Sequence, residues 1–249
     1  MNIIVKKMKI KNLAAMLLPL FLLASCNRGL SGEGSVQFSL ENQSGVIDIE
    51  TKSSVGDFTT LPVAADFSVV VEDASGNQTA VSDLSAPLSL PAGDYTATAS
   101  YGTLTDEGFD KPCFSGSTTF TVQGGESSTV SIRVSLASCI VKMAFTDNFR
   151  NYYPDYNLTV TTGNGSVISF PRSETRACFM DAYQFSLSGT LVNQAGVSTV
   201  IPTKEFKNLQ SATCYTLKMD ASNIGSNIIT ICFNDTVVDV TVGEVDINE

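Results

Sequence analysis

Apolar and polar residues alternate along most of this chain, in short runs separated by turn-forming residues. Val36, Phe38 and Leu40 are apolar, for example, and the residues between them are polar. Strict alternation puts every second side chain on one face, which is typical of a β-strand with one buried face. The pattern predicts strands over residues 36–40, 67–72, 95–101, 119–122, 130–136, 139–145, 158–161, 167–170, 183–187, 197–201, 215–219, 228–233 and 236–242.

Turn residues fall between these runs, and no stretch has the apolar spacing of a long amphipathic helix. Ala74-Ser75-Gly76-Asn77, Gly124-Gly125 and Gly163-Asn164-Gly165 are clear turns. Many short strands joined by turns favour β-sandwiches over a parallel sheet. The chain is therefore predicted to be all-β, with two β-sandwich domains, residues 35–137 and 138–249, that meet without a flexible linker.

The first 25 residues differ from the rest, because a basic segment precedes an apolar run. The run spans residues 13–23, which is too short to cross a bilayer, and the arrangement is that of a secretory signal peptide. Leu23-Ala24-Ser25-Cys26 resembles a bacterial lipobox, which predicts cleavage before Cys26 and lipid on its sulfur. The alternative is an ordinary signal peptide with a chance cysteine. Residues 26–34 are predicted to form a lipidated, flexible tether.

Charge and composition exclude several classes of protein. Without residues 1–25 the chain holds 11 basic and 25 acidic residues, a net charge of −14 that repels nucleic acid. The sequence has no histidine, which excludes Ser-His-Asp and Cys-His catalysis and removes the commonest transition-metal ligand. It also has no tryptophan, the best stacking surface for a sugar or a cation. We expect no enzyme activity, no metal, no cofactor and no nucleic-acid partner.

Five cysteines follow Cys26, and they are expected to lie outside the cytosol, where disulfides can form. They are Cys113, Cys139, Cys178, Cys214 and Cys232. Because five is odd, at least one is unpaired, and no two have the CxxC spacing. Burial as small apolar side chains is favoured over a disulfide framework, and the pairing is left open.

Residues 146–156 are dense in aromatic residues and carboxylates and form a candidate ligand loop. In that interpretation Tyr152, Tyr153 and Tyr156 offer ring faces and Asp155 accepts hydrogen bonds. The alternative, which we favour, is a loop that closes the end of a β-sandwich.

A second acidic group consists of Asp106, Glu107 and Asp110. Their oxygen atoms suit calcium, but the ligand spacing and the glycine of a calcium loop are missing. A solvated acidic loop is favoured, and no metal site is predicted.

Several motifs occur in an order that resembles an uncharacterised lipoprotein family of Bacteroidetes. They are the lipobox, the tether, Asp66-Phe67-Ser68-Val69, Leu90-Pro91-Ala92-Gly93-Asp94-Tyr95, Tyr101-Gly102 and Phe109-Asp110-Lys111-Pro112-Cys113-Phe114-Ser115-Gly116. That family is similar to the fimbrillin-like surface proteins, so the resemblance implies two transthyretin-like β-sandwiches in tandem. At Cys113 the family often has an aromatic residue, and no catalytic residue can be carried over.

These observations predict a lipid-anchored structural or interaction protein at the outer membrane, exposed on the cell surface. It would act in adhesion or as an accessory to surface fibres. Its partners would be the membrane, through the lipid on Cys26, and a protein or glycan at the surface. The alternative is a surface lipoprotein that binds glycans or other nutrients. A surface hydrolase is a third hypothesis, which the absence of histidine disfavours.

The position of Arg28 bears on fibre assembly. In fimbrillin-like shaft subunits, cleavage after an arginine removes the first strand, and a strand of the next subunit fills the gap. Arg28 precedes the predicted strand 36–40, so cleavage there would leave that strand in place. We therefore expect a protein that keeps its lipid and its first strand and does not donate residues 236–242 to a neighbour.

Overall fold

A computed structural model describes residues 32–43, 45–48, 53–221, 228–233, 236–241 and 243–244. Within these ranges the protein is all-β, which confirms that part of the predicted fold class. The predicted signal peptide, Cys26 and residues 27–31 of the tether lie outside the described residues. A search of the described helices finds none that is both long enough and apolar enough to span a membrane.

The strands are short and follow one another along the whole described chain. The first ten are β1 (Glu33–Gln43), β2 (Gly45–Asp48), β3 (Ser53–Ser54), β4 (Ser68–Asp73), β5 (Gln78–Val81), β6 (Leu88–Pro91), β7 (Gly93–Tyr101), β8 (Gly108–Phe109), β9 (Phe114–Val122) and β10 (Ser127–Leu136). The others are β11 (Cys139–Phe145), β12 (Asp155–Thr162), β13 (Val167–Pro171), β14 (Cys178–Met180), β15 (Gln184–Val192), β16 (Ser198–Lys207), β17 (Thr213–Asp220), β18 (Ile228–Phe233), β19 (Thr236–Thr241) and β20 (Gly243–Glu244). One α-helix, α1 (Asp147–Tyr152), follows β11, and two 3₁₀ turns lie at Val55–Asp57 and Ala64–Asp66.

A seven-stranded sheet with the order β5-β4-β7-β9-β10-β1-β6 contains the first strand in its interior. β1 runs parallel to β10 and antiparallel to β6. Val36 and Phe38 of β1 are buried together with Ile132 and Val134 of β10, in one hydrophobic cluster that we call the first core. The alternation read from the sequence therefore places the apolar face of this sheet in the first core.

A second sheet, which we call the central sheet, has the order β19-β18-β17-β11-β14-β8. β2 pairs with Thr213 and Cys214 at the start of β17, and β3 pairs with β2. It combines strands from both sides of the predicted boundary at residues 137–138. β8 and β2 come before the boundary, and β11, β14 and β17 come after it.

Three strands of the central sheet, β11, β14 and β17, are buried on both faces. Ile140, Phe179 and Cys214 lie in the first core. Their neighbours along the same strands lie in a separate cluster, the second core: Cys139, Val141, Cys178, Met180, Tyr215 and Leu217. Because successive side chains of a strand point to opposite faces, each of these three strands contributes to both cores.

A five-stranded antiparallel sheet with the order β13-β12-β15-β16-β20 covers the other side of the second core. Leu158 and Val160 of β12, Phe170 of β13 and Leu187 of β15 are buried in this core. Their polar neighbours Asn157 and Ser169 point outwards and are linked by a side-chain hydrogen bond of 2.8 Å.

The segment between β7 and β9 fixes the first half of the chain to the second. Phe109 of β8 lies opposite Cys178 of β14, and its ring meets Phe170 edge-on at 5.0 Å. The Arg176 guanidinium lies over the Phe109 ring at 4.7 Å and forms a 2.8 Å ion pair with Asp110. These contacts make residues 108–110 an edge of the central sheet.

The predicted boundary is buried rather than exposed. The backbone N–H groups of Ala137 and Ser138 donate to the carbonyl of Cys113, at 2.7 and 3.4 Å. The Ser138 carbonyl accepts from the backbone N–H of Ala212 at 3.0 Å. The division into two sandwiches stays a prediction, and the shared central sheet is a feature that the sequence pattern does not reveal.

Candidate functional site

The predicted ligand loop contains a short helix. Thr146 is the N-cap of α1, and its hydroxyl accepts from the backbone N–H of Phe149 at 3.2 Å. Phe149 is buried, with Tyr153 at 5.3 Å and Tyr156 at 5.7 Å between ring centroids. A Thr N-cap satisfies a helix donor that would otherwise lack a partner, and the aromatic face of the helix anchors it on the second core.

The four residues of the candidate loop therefore have different environments. Tyr153 and Tyr156 are only 3% and 6% exposed, so their rings are core side chains rather than open ligand surfaces. Tyr152 is half-buried and meets the ring of Tyr153 edge-on at 4.8 Å. The exposed Asp155 accepts from the backbone N–H of Tyr156 at 2.9 Å. This geometry supports the alternative in which the segment closes one end of the second core.

A cleft nevertheless opens beside this segment. It has a volume of about 270 Å³ and is lined by Met143, Phe145, Arg150, Tyr156, Arg172, Glu174 and Thr175. Two of the lining residues belong to β11, Arg150 belongs to α1, and Arg172 to Thr175 follow β13. We call it the arginine cleft.

The arginines of the cleft are held by contacts other than ion pairs. The Arg150 guanidinium lies 5.8 Å from the centroid of the Phe145 ring. Arg172 donates a hydrogen bond through Nη1 to the Pro154 carbonyl, and its backbone N–H donates to the Tyr156 carbonyl at 3.2 Å. In the part of the chain that the structure describes, neither arginine forms an ion pair.

Burial and charge act in opposite directions on Tyr156. Burial raises the pKa of its phenol, and the positive charges of Arg150 and Arg172 lower that pKa by a smaller amount. Both guanidinium groups therefore act on the same phenol, which places them around one end of the cleft.

Glu174 is the only carboxylate of the lining, and it already has a partner. Its Oε1 accepts from Arg176 Nε at 3.0 Å, and its Oε2 accepts from Arg176 Nη2 at 2.8 Å. The hydrogen bonds from Arg176 hold the pKa of Glu174 at about 2. Glu174 is thus ionised at neutral pH, and its charge is compensated by Arg176 rather than by the cleft arginines.

The acidic group at residues 106–110 does not come together. Asp106 pairs with Lys111, and Asp110 pairs with Arg176. Glu107 is buried, where it accepts from the hydroxyl of Thr162 and from the backbone N–H of Asp181 at 3.0 Å. Within the described ranges, no three carboxylate, cysteine or histidine groups are placed to hold a metal ion.

The cysteines behave as buried apolar side chains. Cys113, Cys139, Cys178 and Cys214 are buried, and Cys232 is partly exposed. Burial raises the pKa of the Cys139 thiol to about 12 and that of Cys178 well above its usual value. A thiol with so high a pKa is not a nucleophile at neutral pH.

The arginine cleft was missed by the sequence reasoning, although a signal was present. The chain has only five arginines, and Arg150, Arg172 and Arg176 fall within 27 residues of one another. Such clustering of arginines in an acidic chain indicates a local positive site.

The described residues thus define an all-β fold with an arginine-bearing cleft on its surface. Residues 32–249 match the model of a family described as a domain of unknown function, DUF4493. The chain belongs to this family, which confirms the prediction of an uncharacterised family. No curated protein matches the chain.

Solved structures with some similarity in backbone fold come from Bacteroidetes. A candidate polysaccharide-binding protein of Bacteroides thetaiotaomicron is 16% identical, with 87% of this chain and 99% of that chain covered and a TM-score of 0.44. A fimbrial assembly protein of Parabacteroides distasonis is 12% identical, with 84% and 99% covered and a TM-score of 0.45. A candidate cell adhesion protein of B. thetaiotaomicron is 14% identical, with 74% and 91% covered and a TM-score of 0.42. These values are too low to transfer a function to this chain.

Proposed function

We propose that this protein is a lipid-anchored, fimbrillin-like structural and interaction protein of the outer membrane, displayed on the cell surface for adhesion or as an accessory to surface fibres. The observation that carries the proposal is the central sheet, whose strands contribute side chains to two cores at once. Such a sheet resists bending between the two halves, because a hinge would have to open a buried interface. A stiff body on a short lipid-bearing tether suits a protein that holds a binding surface away from the membrane.

The position of β1 supports a fixed protein rather than a shaft subunit. β1 is hydrogen-bonded on both edges, to β10 and β6, and its Val36 and Phe38 are buried in the first core. Removing this strand would expose apolar surface at a cost of about 25 cal/mol per Å². β19 is already paired with β18, so it is engaged within its own chain.

The test is expression of the full chain with its own leader in a Bacteroidetes host, beside Cys26→Ala. The wild-type protein should incorporate an alkyne fatty acid, be digested by protease added to intact cells, and increase attachment of those cells to a coated surface. Cys26→Ala should lose the label, since its sulfur is the proposed lipid acceptor. Undiminished label in Cys26→Ala, or protection from protease until the cells are lysed, would contradict the proposal.

A second candidate function is glycan binding at the surface, and the arginine cleft favours it. A concave site with an apolar lining and a few convergent polar groups is the usual form of a small-ligand site. The cleft has this form, with Met143 and Phe145 as apolar lining and the guanidinium groups as donors. A glycan array probed with the full chain, beside Arg150→Gln, separates this function from a purely structural role.

A further inference from the structure

We propose that the arginine cleft binds the acidic sugar residues of a glycan, with the sugar carboxylate held by Arg150 and Arg172. The inference rests on the second candidate function, glycan binding, and adds to it the chemical class of the ligand. It follows from the charge of the cleft, its apolar lining and its size.

The cleft carries positive charge that the protein itself does not neutralise. The chain has a formal net charge of −10, yet the lining holds two arginines without ion pairs among the described residues and one carboxylate that is bound to Arg176. A guanidinium presents its N–H donors in a planar fork that matches the two oxygens of a carboxylate. An anionic ligand is therefore the natural partner of Arg150 and Arg172.

The arginines are partly oriented before a ligand arrives. Arg172 donates to the Pro154 carbonyl through Nη1, and among the described residues its guanidinium has no further side-chain hydrogen bond, so other N–H groups can donate to a ligand. The guanidinium of Arg150 lies over the Phe145 ring, which restricts its position without using its donors. Side chains held in this way lose less conformational entropy when they bind.

The apolar lining favours a sugar ring over a free inorganic anion. Met143 and Phe145 are half-buried, and Tyr156 adjoins Phe145 with 4.7 Å between ring centroids. Met143 and Phe145 offer an apolar surface to the C–H face of a pyranose, while Tyr156 is buried behind Phe145. A volume of about 270 Å³ is just below the lower end of small-ligand sites.

Glu174 and Thr175 favour a sugar over an acidic peptide. A sugar brings one carboxylate together with hydroxyl groups, which can donate to the Glu174 carboxylate and the Thr175 hydroxyl. An acidic peptide brings several ionised carboxylates, which accept but cannot donate, so they would leave the Glu174 carboxylate without a matching donor.

The test is calorimetric titration of the full chain with defined acidic and neutral probes. Trigalacturonate is compared with its methyl ester, and sialyllactose with lactose, so that each pair differs in the acidic group. We expect at least one acidic probe to bind, and its neutral counterpart to bind about tenfold or more weakly. Added salt should weaken the acidic probe selectively.

The variant Arg150→Gln/Arg172→Gln should weaken binding of the acidic probe by about tenfold or more. Arg133→Gln, at an exposed arginine of β10 that pairs with Glu41, removes one positive charge outside the cleft. It is the charge-matched control for Arg150→Gln and should bind as the wild type does. If the double variant fails to fold, Arg150→Gln alone serves, since Arg150 is exposed on α1. A loss of about threefold or more is expected of it.

Several outcomes would overturn the proposal: no binding of either acidic probe, equal binding of the neutral counterparts, or unchanged binding in the arginine variants. Equal or tighter binding of a hexaglutamate peptide would assign the cleft to acidic peptides instead. None of these results affects lipid labelling, protease accessibility or cell attachment, so the failure of this inference is distinguishable from the failure of the adhesion proposal.

Discussion

Glu174 and Arg176 form the clearest electrostatic pair of the described residues, and they link three parts of the fold. Arg176 contacts Glu174 beside the arginine cleft, Asp110 on the segment after β8, and the ring of Phe109. The Glu174 side chain is only 15% exposed, so solvent screens this pair less than it screens an open surface pair. A single arginine thus joins the rim of the cleft to the edge of the central sheet.

The first prediction concerns the stability of the Glu174→Gln variant at low pH. The hydrogen bonds from Arg176 lower the pKa of Glu174 from 4.5 to about 2, so its ionised form stabilises the folded state at neutral pH. That contribution is complete above the unfolded pKa and is lost as the pH falls from about 4.5 through about 2.

Denaturant unfolding across this pH range is the measurement. The wild type should lose more stability on acidification than Glu174→Gln, whose side chain cannot titrate. Glu205→Gln on β16, an exposed carboxylate beside Lys207, is the control and should follow the wild-type curve. If the free energy of unfolding fell by the same amount with pH in the wild type and in Glu174→Gln, the pair would contribute nothing to stability.

The second prediction concerns thiol reactivity. Cys232 is partly exposed, while burial raises the pKa of Cys139 to about 12. Because the thiolate is the reactive form, iodoacetamide at neutral pH should label Cys232 first and Cys139 only after unfolding. Peptide mapping by mass spectrometry reads out each site. Labelling of Cys139 in the native protein as fast as Cys232 would contradict this packing.

At the scale of elements, the close approach of β9 and β10 is set by one glycine. A Cβ atom on Gly116 would lie 1.9 Å from the carbonyl oxygen of Arg133 and 3.0 Å from the Cα of Val134. Both atoms belong to backbone that cannot move without disturbing β10. The two strands pair next to this glycine, with Ser135 opposite Ser115 and Leu136 opposite Phe114.

The third prediction follows from this approach. Gly116→Ala should destabilise the folded protein by about 1–3 kcal/mol, because the strands must separate to admit the methyl group. Gly45→Ala is the matched control, since none of the residues that the structure describes comes within 4 Å of a Cβ at that position. Its free energy of unfolding should stay within about 0.5 kcal/mol of the wild type. Equal midpoints for the two variants in a urea titration would refute the role of Gly116.

At the scale of the whole molecule, the central sheet joins the two cores. Phe179 of β14 lies in the first core, and Cys178 and Met180 on either side of it lie in the second. Loss of this strand would therefore open both clusters. Cores that share strands are expected to unfold together, unlike domains joined only by a linker.

The fourth prediction uses Phe179→Ala, which removes a fully buried ring from the first core. The cost should be about 3–5 kcal/mol. Hydrogen exchange should speed up in β7, which borders the first core, and also in β15, which borders the second. Peptide-resolved exchange by mass spectrometry is the measurement. Faster exchange confined to strands of the first core, with β15 protected as in the wild type, would show that the halves unfold separately.

The sequence by itself indicated thirteen of the described strands and, where apolar and polar residues alternate, which face is apolar; the shorter strands β2, β3, β5, β6, β8, β14 and β20 were not predicted. All thirteen predicted strands overlap observed ones, since alternation is a local property of a strand with one wet face. β14 was not predicted from the sequence. Its residues Cys178, Phe179 and Met180 are all buried, and a strand covered on both faces shows no alternation of apolar and polar residues. The six-residue helix α1 was not predicted because it is too short to show a helical periodicity of apolar residues.

Only the tertiary structure decided how these strands combine. Pairing between distant strands, such as β8 with β14, depends on contacts that local pattern does not encode. The candidate site shows the same limit: of the three tyrosines that the sequence singled out, Tyr153 and Tyr156 are core residues and Tyr152 is half-buried. The cleft beside them joins Met143, Arg150 and Arg172 from three separate elements. The local pattern of apolar residues indicates which face of a strand is buried. A cleft, in contrast, forms only where elements that are distant in the sequence pack together.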